Sequence, residues 1–236
     1  MKSSEQNQDL TPAQAIDLMQ WLVGETRGML RQAVLRDYAL DRKDTLTQED
    51  SQYHVRSKDF PAFEQASLKG YCGHAQSFMN WALQDIGYTA NCYTFNQGDP
   101  SHAHAPTLPG VAWNHVALSV DIPTTKGVKK FLVDPTFKQF CNGDKMAPAA
   151  LLENSCDGEH IVKTLLDKGF IELTPDIASQ YVTAFCKGIS PFKTPQGAMD
   201  FLSTSDKGRL DSGLWPRKNF FDSNGWKAQR PPMPKL

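Results

Sequence analysis

Residues 113–137 read WNHVALSVDIPTTKGVKKFLVDPTF, two apolar segments joined by a short polar one. Along Trp113–Ile122 apolar side chains alternate with polar or small ones, and a period of two residues is typical of a β-strand. Val128–Val133 has the composition of a second strand, and Pro123–Lys126 between them suits a four-residue hairpin loop. The segment therefore predicts an antiparallel pair of strands.

Pairing of these two strands brings a histidine close to a carboxylate. One face of the first strand carries its apolar side chains, which are Val116, Leu118, Val120 and Ile122. If Ile122 pairs with Gly127, His115 lies on the other face and directly opposite Asp134, with Cβ atoms about 5 Å apart. An Asp beside a His fixes the tautomer of the ring and stabilises the imidazolium. The alternative interpretations are a satisfied core histidine and a turn aspartate before Pro135.

A second informative segment, GYCGHAQSFMNWALQDIG at residues 70–87, predicts an amphipathic helix that begins near Cys72 and ends at Gly87. Its apolar face consists of Ala75, Phe78, Met79, Ala82, Leu83 and Ile86. Unpaired N–H groups and the helix dipole favour a thiolate at this position and can stabilise an oxyanion. Gly70 and Gly73 leave room for a substrate carbonyl. Cys72 is therefore a candidate nucleophile.

The position of Cys72 distinguishes it from the other cysteines. It precedes the apolar face of its helix, whereas Cys92 lies within a predicted strand, Thr89–Phe95. A cysteine packed as a small hydrophobe is the alternative for Cys72 and the interpretation adopted for Cys92, Cys141, Cys156 and Cys186. Five widely spaced cysteines do not form a disulfide framework, which favours a reducing compartment.

Composition excludes several function classes. The chain has 236 residues, with 25 Lys and Arg against 26 Asp and Glu, so its net charge is -1. That balance argues against nucleic-acid binding through bulk charge and against a polybasic membrane-surface protein. No apolar run approaches the roughly 18 residues of a membrane-spanning helix, and the first residues lack the apolar core of a secretory signal. We expect a soluble protein that is cytoplasmic or is delivered into a target cell without a Sec signal peptide.

A zinc site is the main alternative use of the histidines. His102 and His104, together with Cys72, His74 and His115, supply enough nitrogen and sulfur ligands for zinc. They lack the paired spacings that characterise such sites. We therefore predict no metal and no other cofactor.

Three further helices are predicted outside these segments. Thr11-Pro12 begins the first, because Thr is a capping residue and Pro suits the first helical position. Gly158–Lys168 and Thr174–Lys187 are the others, and each precedes a glycine (Gly169, Gly188) that can adopt a left-handed conformation.

The chain is divided into three parts on this basis. Residues 1–58 comprise the N-terminal helix and, from about Arg36, a polar connection. Residues 59–188 form the catalytic core, and residues 189–236 form a polar extension that packs on the core or is mobile. The apolar stripe of the first helix consists of Ala15, Leu18, Met19, Leu22, Val23, Met29, Leu30 and Val34.

Three sequence stretches together resemble the transglutaminase-like superfamily of cysteine enzymes. GYCGHAQSFMNWALQDIGYTA is similar to its nucleophile helix, WNHVALSVDI to its histidine strand, and KKFLVDPTF to its Val-Asp-Pro-Thr strand. The resemblance covers roughly residues 70–137. It implies an α+β fold, a papain-like core whose nucleophile helix packs on an antiparallel sheet, with extra N- and C-terminal helices. Members include transglutaminases, peptidases, arylamine N-acetyltransferases and injected bacterial toxins that deamidate glutamine.

The resemblance also implies the roles of individual residues. Cys72 is the nucleophile, His115 the general base and Asp134 its orienting partner. Papain-like peptidases place a Gln before the nucleophile for the oxyanion hole, which makes Gln65 a candidate. The residues that flank the Cys and the His are further oxyanion or substrate-binding candidates, namely Tyr71, Gly73 and Asn114.

We therefore expect thiol-dependent acyl transfer on carboxamides through a thioester on Cys72. The favoured reaction is deamidation or transamidation of a glutamine side chain in a protein substrate, as in bacterial effector toxins. A cysteine peptidase or amidase with the same triad is the alternative enzyme. A non-catalytic protein-binding module on the same fold is the alternative from another class.

Overall fold

A computed structural model describes residues 9–41, 72–97 and 108–203. Within these ranges the side chains of residues 31–41, 74 and 85 are not described. Five residues singled out in the sequence lie outside the described residues, namely Gln65, Gly70, Tyr71, His102 and His104, as does the end of the chain from residue 204.

The described part of the chain is an α+β structure, as predicted. It contains, in order, α1 (Pro12–Asp41), α2 (Cys72–Asp85), β1 (Ala90–Phe95), β2 (His115–Thr124), β3 (Gly127–Val133), a 3₁₀ turn (Phe137–Phe140), α3 (Pro148–Glu153), α4 (Gly158–Lys168), β4 (Phe170–Glu172), α5 (Pro175–Phe185) and α6 (Pro195–Leu202). The strands form one antiparallel sheet in the order β1-β2-β3-β4.

The hairpin between β2 and β3 is tighter than predicted. Thr124 pairs with Gly127 and Ile122 pairs with Lys129, so the predicted pairing of Ile122 with Gly127 is wrong by two residues. The predicted four-residue loop is also wrong, because Pro123 continues β2. The Thr124 hydroxyl accepts a hydrogen bond from the Lys126 N–H (3.2 Å) and donates one to the Gly127 carbonyl (2.6 Å). These side-chain bonds close the turn.

The two faces of the sheet are covered by different helices. One face packs on α1 and α2 and buries Leu18, Leu22, Met79, Leu83, Val116, Leu118, Val120 and Ile122, which confirms the predicted apolar face of β2. The other face packs on α4, α5 and α6 and buries Phe95, Ala117, Leu132, Leu165, Tyr181, Phe185 and Leu202. The polar Ser119 on this second face donates a hydrogen bond to the Leu202 carbonyl (2.5 Å). The sheet is thus the middle layer of three.

The first helix begins where the sequence predicts but ends later. The Thr11 hydroxyl accepts a hydrogen bond from the Gln14 N–H (3.2 Å), and the Gln14 side chain accepts one from the Thr11 N–H (2.8 Å). This reciprocal pair is a capping box. The polar connection predicted from Arg36 is wrong as far as Asp41, because the intervening Arg, Ala and Leu are good helix formers.

The two helices predicted to end before a glycine, α4 and α5, differ in where they end. Gly169 caps α4 with φ 72° and confirms the predicted end of that helix. Gly188 also has a positive φ of 78°, but α5 ends earlier, at Phe185, with Cys186 as its cap. The predicted end at Lys187 is therefore two residues too late.

The C-terminal extension contains a helix that the sequence analysis did not identify. Thr194 caps α6 by accepting a hydrogen bond from the Gly197 N–H (3.2 Å), and Pro195 occupies the first helical position. Met199, Phe201 and Leu202 on this helix are buried against the second face of the sheet. The beginning of the extension is thus part of the core.

No helix within residues 9–41, 72–97 and 108–203 has both the length and the apolar character needed to cross a membrane.

Candidate active site

The three predicted catalytic residues lie at the ends of three elements. Cys72 is the first residue of α2, His115 is the first residue of β2, and Asp134 directly follows β3. Cys72 is partly buried, whereas the side chains of His115 and Asp134 are completely buried. Helix and strand ends thus bring together residues that are far apart in the chain.

His115 and Asp134 form a direct hydrogen bond. Nε2 of His115 donates to Oδ2 of Asp134 over 2.8 Å, which confirms the predicted proximity of the two residues. Their predicted direct opposition is wrong, because Leu118 pairs with Val133 and the same register places Asp134 opposite Ala117. A shift of two residues keeps every side chain on its face, whereas a shift of one would have separated the pair.

Cys72 interacts with the same imidazole. Nδ1 of His115 is buried and has no partner in regular hydrogen-bond geometry, but the Cys72 side chain is close enough to interact with the ring. Burial alone lowers the pKa of His115. The charge and hydrogen bond of Asp134, followed by the hydrogen bond and charge of Cys72, outweigh burial and raise this pKa to about 9. The ring is therefore an imidazolium at neutral pH, next to both a carboxylate and a thiol group.

The Asp134 carboxylate is fully hydrogen-bonded. Oδ2 also accepts a bond from the Tyr181 hydroxyl (2.7 Å), and Oδ1 accepts bonds from the Thr136 hydroxyl (3.1 Å) and the Thr136 N–H (3.3 Å). The Gln139 amide donates to the Thr136 hydroxyl (3.2 Å) and fixes it in turn. Burying a charge is tolerable when donors replace water, and this carboxylate has such donors at both oxygens.

Aromatic rings enclose the imidazole. Phe185 stacks on the His115 ring with centroids 5.1 Å apart and an interplanar angle of 7°. Phe140 meets it edge-on at 4.8 Å. Phe95 also stacks on Phe185, with centroids 4.4 Å apart. A stacked aromatic face favours a cation, so these contacts suit the imidazolium form.

The other predicted site residues have different surroundings. Gly73 is buried in the first turn of α2, where a backbone N–H has no partner within the helix. Asn114 is exposed, and its Oδ1 accepts a hydrogen bond from the Gln97 N–H (2.7 Å), so its oxygen holds the end of β1 in place.

The remaining cysteines fit the packing interpretation only in part. Cys92 and Cys186 are buried, as predicted, and burial raises the pKa of Cys186 to about 11. Cys141 is partly buried, and its pKa is also raised, mainly by burial. The prediction is wrong for Cys156, which is exposed in the turn between α3 and α4. A residue in this exposed turn has no apolar surface to pack against.

Among the described residues, no three His, Cys, Asp or Glu side chains come close enough together to hold a metal ion. His102 and His104, the ligands considered in the sequence, are outside those residues.

Sequence reasoning missed the contribution of α5 to the site. Tyr181 and Phe185 on this helix contact Asp134 and His115, although α5 lies beyond the segment that carries the family resemblance. One signal was present in the sequence, since Tyr181 lies on the apolar face of a predicted helix and a buried tyrosine usually has a hydrogen-bond partner for its hydroxyl. The identity of that partner could not be read from spacing.

None of the protein-family models, curated proteins or solved structures compared with this chain matches it. Its function has to be argued from the site itself.

Proposed function

We propose that the protein transfers acyl groups from carboxamides through a thioester on Cys72, and that its substrate is a glutamine side chain of another protein. The observation that carries this proposal is a buried imidazole that is hydrogen-bonded to Asp134 through Nε2 and that also interacts with the Cys72 side chain. A nucleophile, a base and a residue that orients the base are the minimum set for this chemistry. We also propose a papain-like core, in which α2 presents Cys72 to the sheet.

The first half-reaction forms the thioester. The Cys72 thiolate attacks the amide carbon, and the tetrahedral intermediate collapses as the C–N bond breaks. The His115 imidazolium gives its Nδ1 proton to the leaving nitrogen, which departs as ammonia. Because the raised pKa of His115 keeps the ring protonated at neutral pH, the proton is available when the leaving group needs it.

The second half-reaction restores the enzyme. Neutral His115 removes a proton from water, the oxygen attacks the thioester, and the C–S bond breaks to release a carboxylic acid and the Cys72 thiolate. The product is then a glutamate side chain. With a primary amine in place of water, the same step yields a substituted amide. Asp134 stabilises the imidazolium that forms in this step.

The start of α2 supplies the electrostatic part of the mechanism. Backbone N–H groups of the first helical turn, including that of Gly73, have no partners within the helix. They stabilise a thiolate on Cys72 and the oxyanion of each tetrahedral intermediate. The lack of a side chain at Gly73 allows the substrate oxygen to approach this backbone.

Partial exposure of Cys72 supports a macromolecular substrate. The sulfur lies at the boundary of the core, whereas the base and its partner are buried, so a side chain from another protein can reach the nucleophile without opening the fold. The order Cys, His, Asp resembles the transglutaminase-like superfamily as a whole and supports acyl transfer, and the choice of a glutamine side chain follows the analogy with the effector deamidases and transglutaminases among its members.

Mass spectrometry of protein substrates tests this proposal. A panel of glutamine-containing proteins is incubated with the enzyme in the presence or absence of a fluorescent primary amine. We expect conversion of Gln to Glu without the amine and labelled Gln with it. Both products should disappear in Cys72→Ala and persist in Cys156→Ala, which removes an exposed cysteine away from the site.

The same experiment separates the alternatives. Cleavage of the substrate backbone that depends on Cys72 would assign a peptidase instead. If the wild type forms no covalent product, and if it and Cys72→Ala bind a partner equally well, the protein is a binding module.

A further inference from the structure

Two side chains of α5, one helical turn apart, contact the buried half of the site. The Tyr181 hydroxyl donates to Oδ2 of Asp134 (2.7 Å), and the Phe185 ring stacks on His115. Residues four apart in a helix project from the same side. A single rigid element therefore contacts both the carboxylate and the imidazole.

Tyr181 restricts the orientation of the Asp134 carboxylate. Thr136 holds Oδ1, and Tyr181 and His115 both donate to Oδ2. With both oxygens anchored by groups other than His115, the carboxylate cannot rotate away when the imidazole gains or loses its proton.

Phe185 restricts the imidazole in a complementary way. Its ring is nearly parallel to those of His115 (7°) and Phe95 (9°), so it belongs to a stack that runs from β1 to the imidazole. Phe140 packs edge-on against both His115 and Phe185. Because the contacts close around the imidazole, it cannot turn without displacing the core.

We propose that α5 is the positioning helix of this site, with Tyr181 orienting the carboxylate of Asp134 and Phe185 orienting the ring of His115. The inference rests on the proposed acyl-transfer function of the triad. Neither residue acts on the substrate, so both are positioning residues rather than catalytic ones.

Tyr181 and Phe185 have opposite effects on the pKa of His115. Among the described residues, Asp134 after β3 and Cys72 on α2 act on this ring, and Tyr181 on α5 and Tyr93 on β1 act on Asp134. Burial and the charge of Asp134 raise the pKa of Tyr181 well above its usual range, so its hydroxyl remains a donor. Tyr181 competes with His115 for Oδ2 and lowers the affinity of His115 for its proton. Phe185 offers its ring face to the imidazolium and raises that affinity.

Titration of His115 by NMR tests this proposal without any substrate. The protein is labelled at histidine, and the His115 signal is assigned by its loss in His115→Gln. We expect Tyr181→Phe to raise the pKa of His115 by about 0.5 and Phe185→Leu to lower it by about 0.5. Tyr93→Phe is the comparison variant, because its buried hydroxyl interacts with that of Tyr181 but makes no regular hydrogen bond to Asp134, so its effect on the pKa of His115 should be smaller.

Turnover provides a second readout once a substrate is known. We expect Tyr181→Phe to lower kcat about tenfold with little change in KM, because positioning affects the proton-transfer steps rather than binding. If Phe185→Leu does not fold, the titration is carried out on Phe185→Met instead, which retains more of the side-chain volume.

Unchanged titration of His115 in Tyr181→Phe, or an equal shift in Tyr93→Phe, would overturn the role of α5. Neither result depends on acyl transfer. Loss of the proposed function would appear separately, as an absence of Cys72-dependent products with the expected titration shifts still present.

Discussion

The two halves of the site are built differently. Cys72 is partly exposed at the start of α2, and its helix packs on the α1 side of the sheet. His115 and Asp134 are fully buried, and the groups that hold them come from the opposite layer, through Tyr181, Phe185 and Phe140. In the proposed mechanism, the reactive sulfur of Cys72 is thus accessible, whereas the His115–Asp134 pair that handles the proton is held rigidly. Substitutions in the two halves should therefore have different consequences.

The largest difference should come from the nucleophile itself. We expect Cys72→Ala to abolish acyl transfer, with a loss of about 10⁴-fold or more, because no other group can form the thioester. Removal of one partly exposed sulfur should change the free energy of unfolding by less than about 1 kcal/mol. Product formation measured by mass spectrometry, together with urea unfolding, checks both parts. A comparable loss in Cys156→Ala would contradict the assignment.

Asp134→Asn should damage both activity and stability. It removes the carboxylate charge, the largest of the causes that raise the pKa of His115, so the imidazolium should be lost at neutral pH. We expect activity to fall about 10³-fold. Stability should fall by about 2 kcal/mol, because the donors from Tyr181 and Thr136 lose a charged acceptor. Equal stability of this variant and Cys72→Ala would mean that the two halves are not built differently.

The pH dependence of stability should report the buried half specifically. Folding raises the pKa of His115 from 6.5 to about 9, so its stabilising contribution is fully present below the lower value and is lost as pH rises through the higher one. We expect the wild type to be more stable than His115→Gln at about pH 6 and to lose that advantage by about pH 10. Urea unfolding of both proteins at several pH values measures this difference in the free energy of unfolding. An advantage that grows with pH would have the wrong sign.

The smallest effect should come from a contact between α1 and α4, which lies outside the site. Arg27 on α1 donates to the carbonyls of Asp167 (2.7 Å) and Leu166 (3.0 Å) at the end of α4. We expect Arg27→Ala to lower the free energy of unfolding by about 1 kcal/mol, because the last carbonyls of a helix lose their donors. The activity per folded molecule should stay unchanged. A marked change in the His115 titration would show that this contact also controls the site.

Local patterns were enough to predict the hairpin half of the site. The period of two in β2 determines which side chains share a face, so His115 and Asp134 meet even though the predicted register is off by two residues. The register itself could not be predicted, because the hydrogen bonds of the Thr124 side chain make the turn shorter than its Pro and Thr residues suggest. The face on which a side chain lies follows from the alternation within its strand, whereas the pairing of residues between two strands depends on the turn that joins them.

The contributions of α5 and α6 could not be predicted, for a related reason. The apolar spacing of α5 predicts a buried face, but it does not identify the element against which that face packs. Only the folded chain shows that Tyr181 meets a carboxylate 47 residues away and that Ser119 meets the carbonyl of Leu202. Contacts between distant elements depend on how the layers pack together, and the spacing of apolar residues within one element does not contain that information.

The most direct test of the central claim is the rate at which iodoacetamide alkylates each cysteine as a function of pH. A thiolate stabilised by the helix start and by the His115 imidazolium should react rapidly at about pH 6, where an ordinary thiol is almost fully protonated. We predict that Cys72 reacts at least about tenfold faster than the exposed Cys156 at that pH, and that His115→Gln removes the advantage. Equal rates for Cys72 and Cys156, both rising only near the pKa of a simple thiol, would contradict an activated nucleophile in this protein.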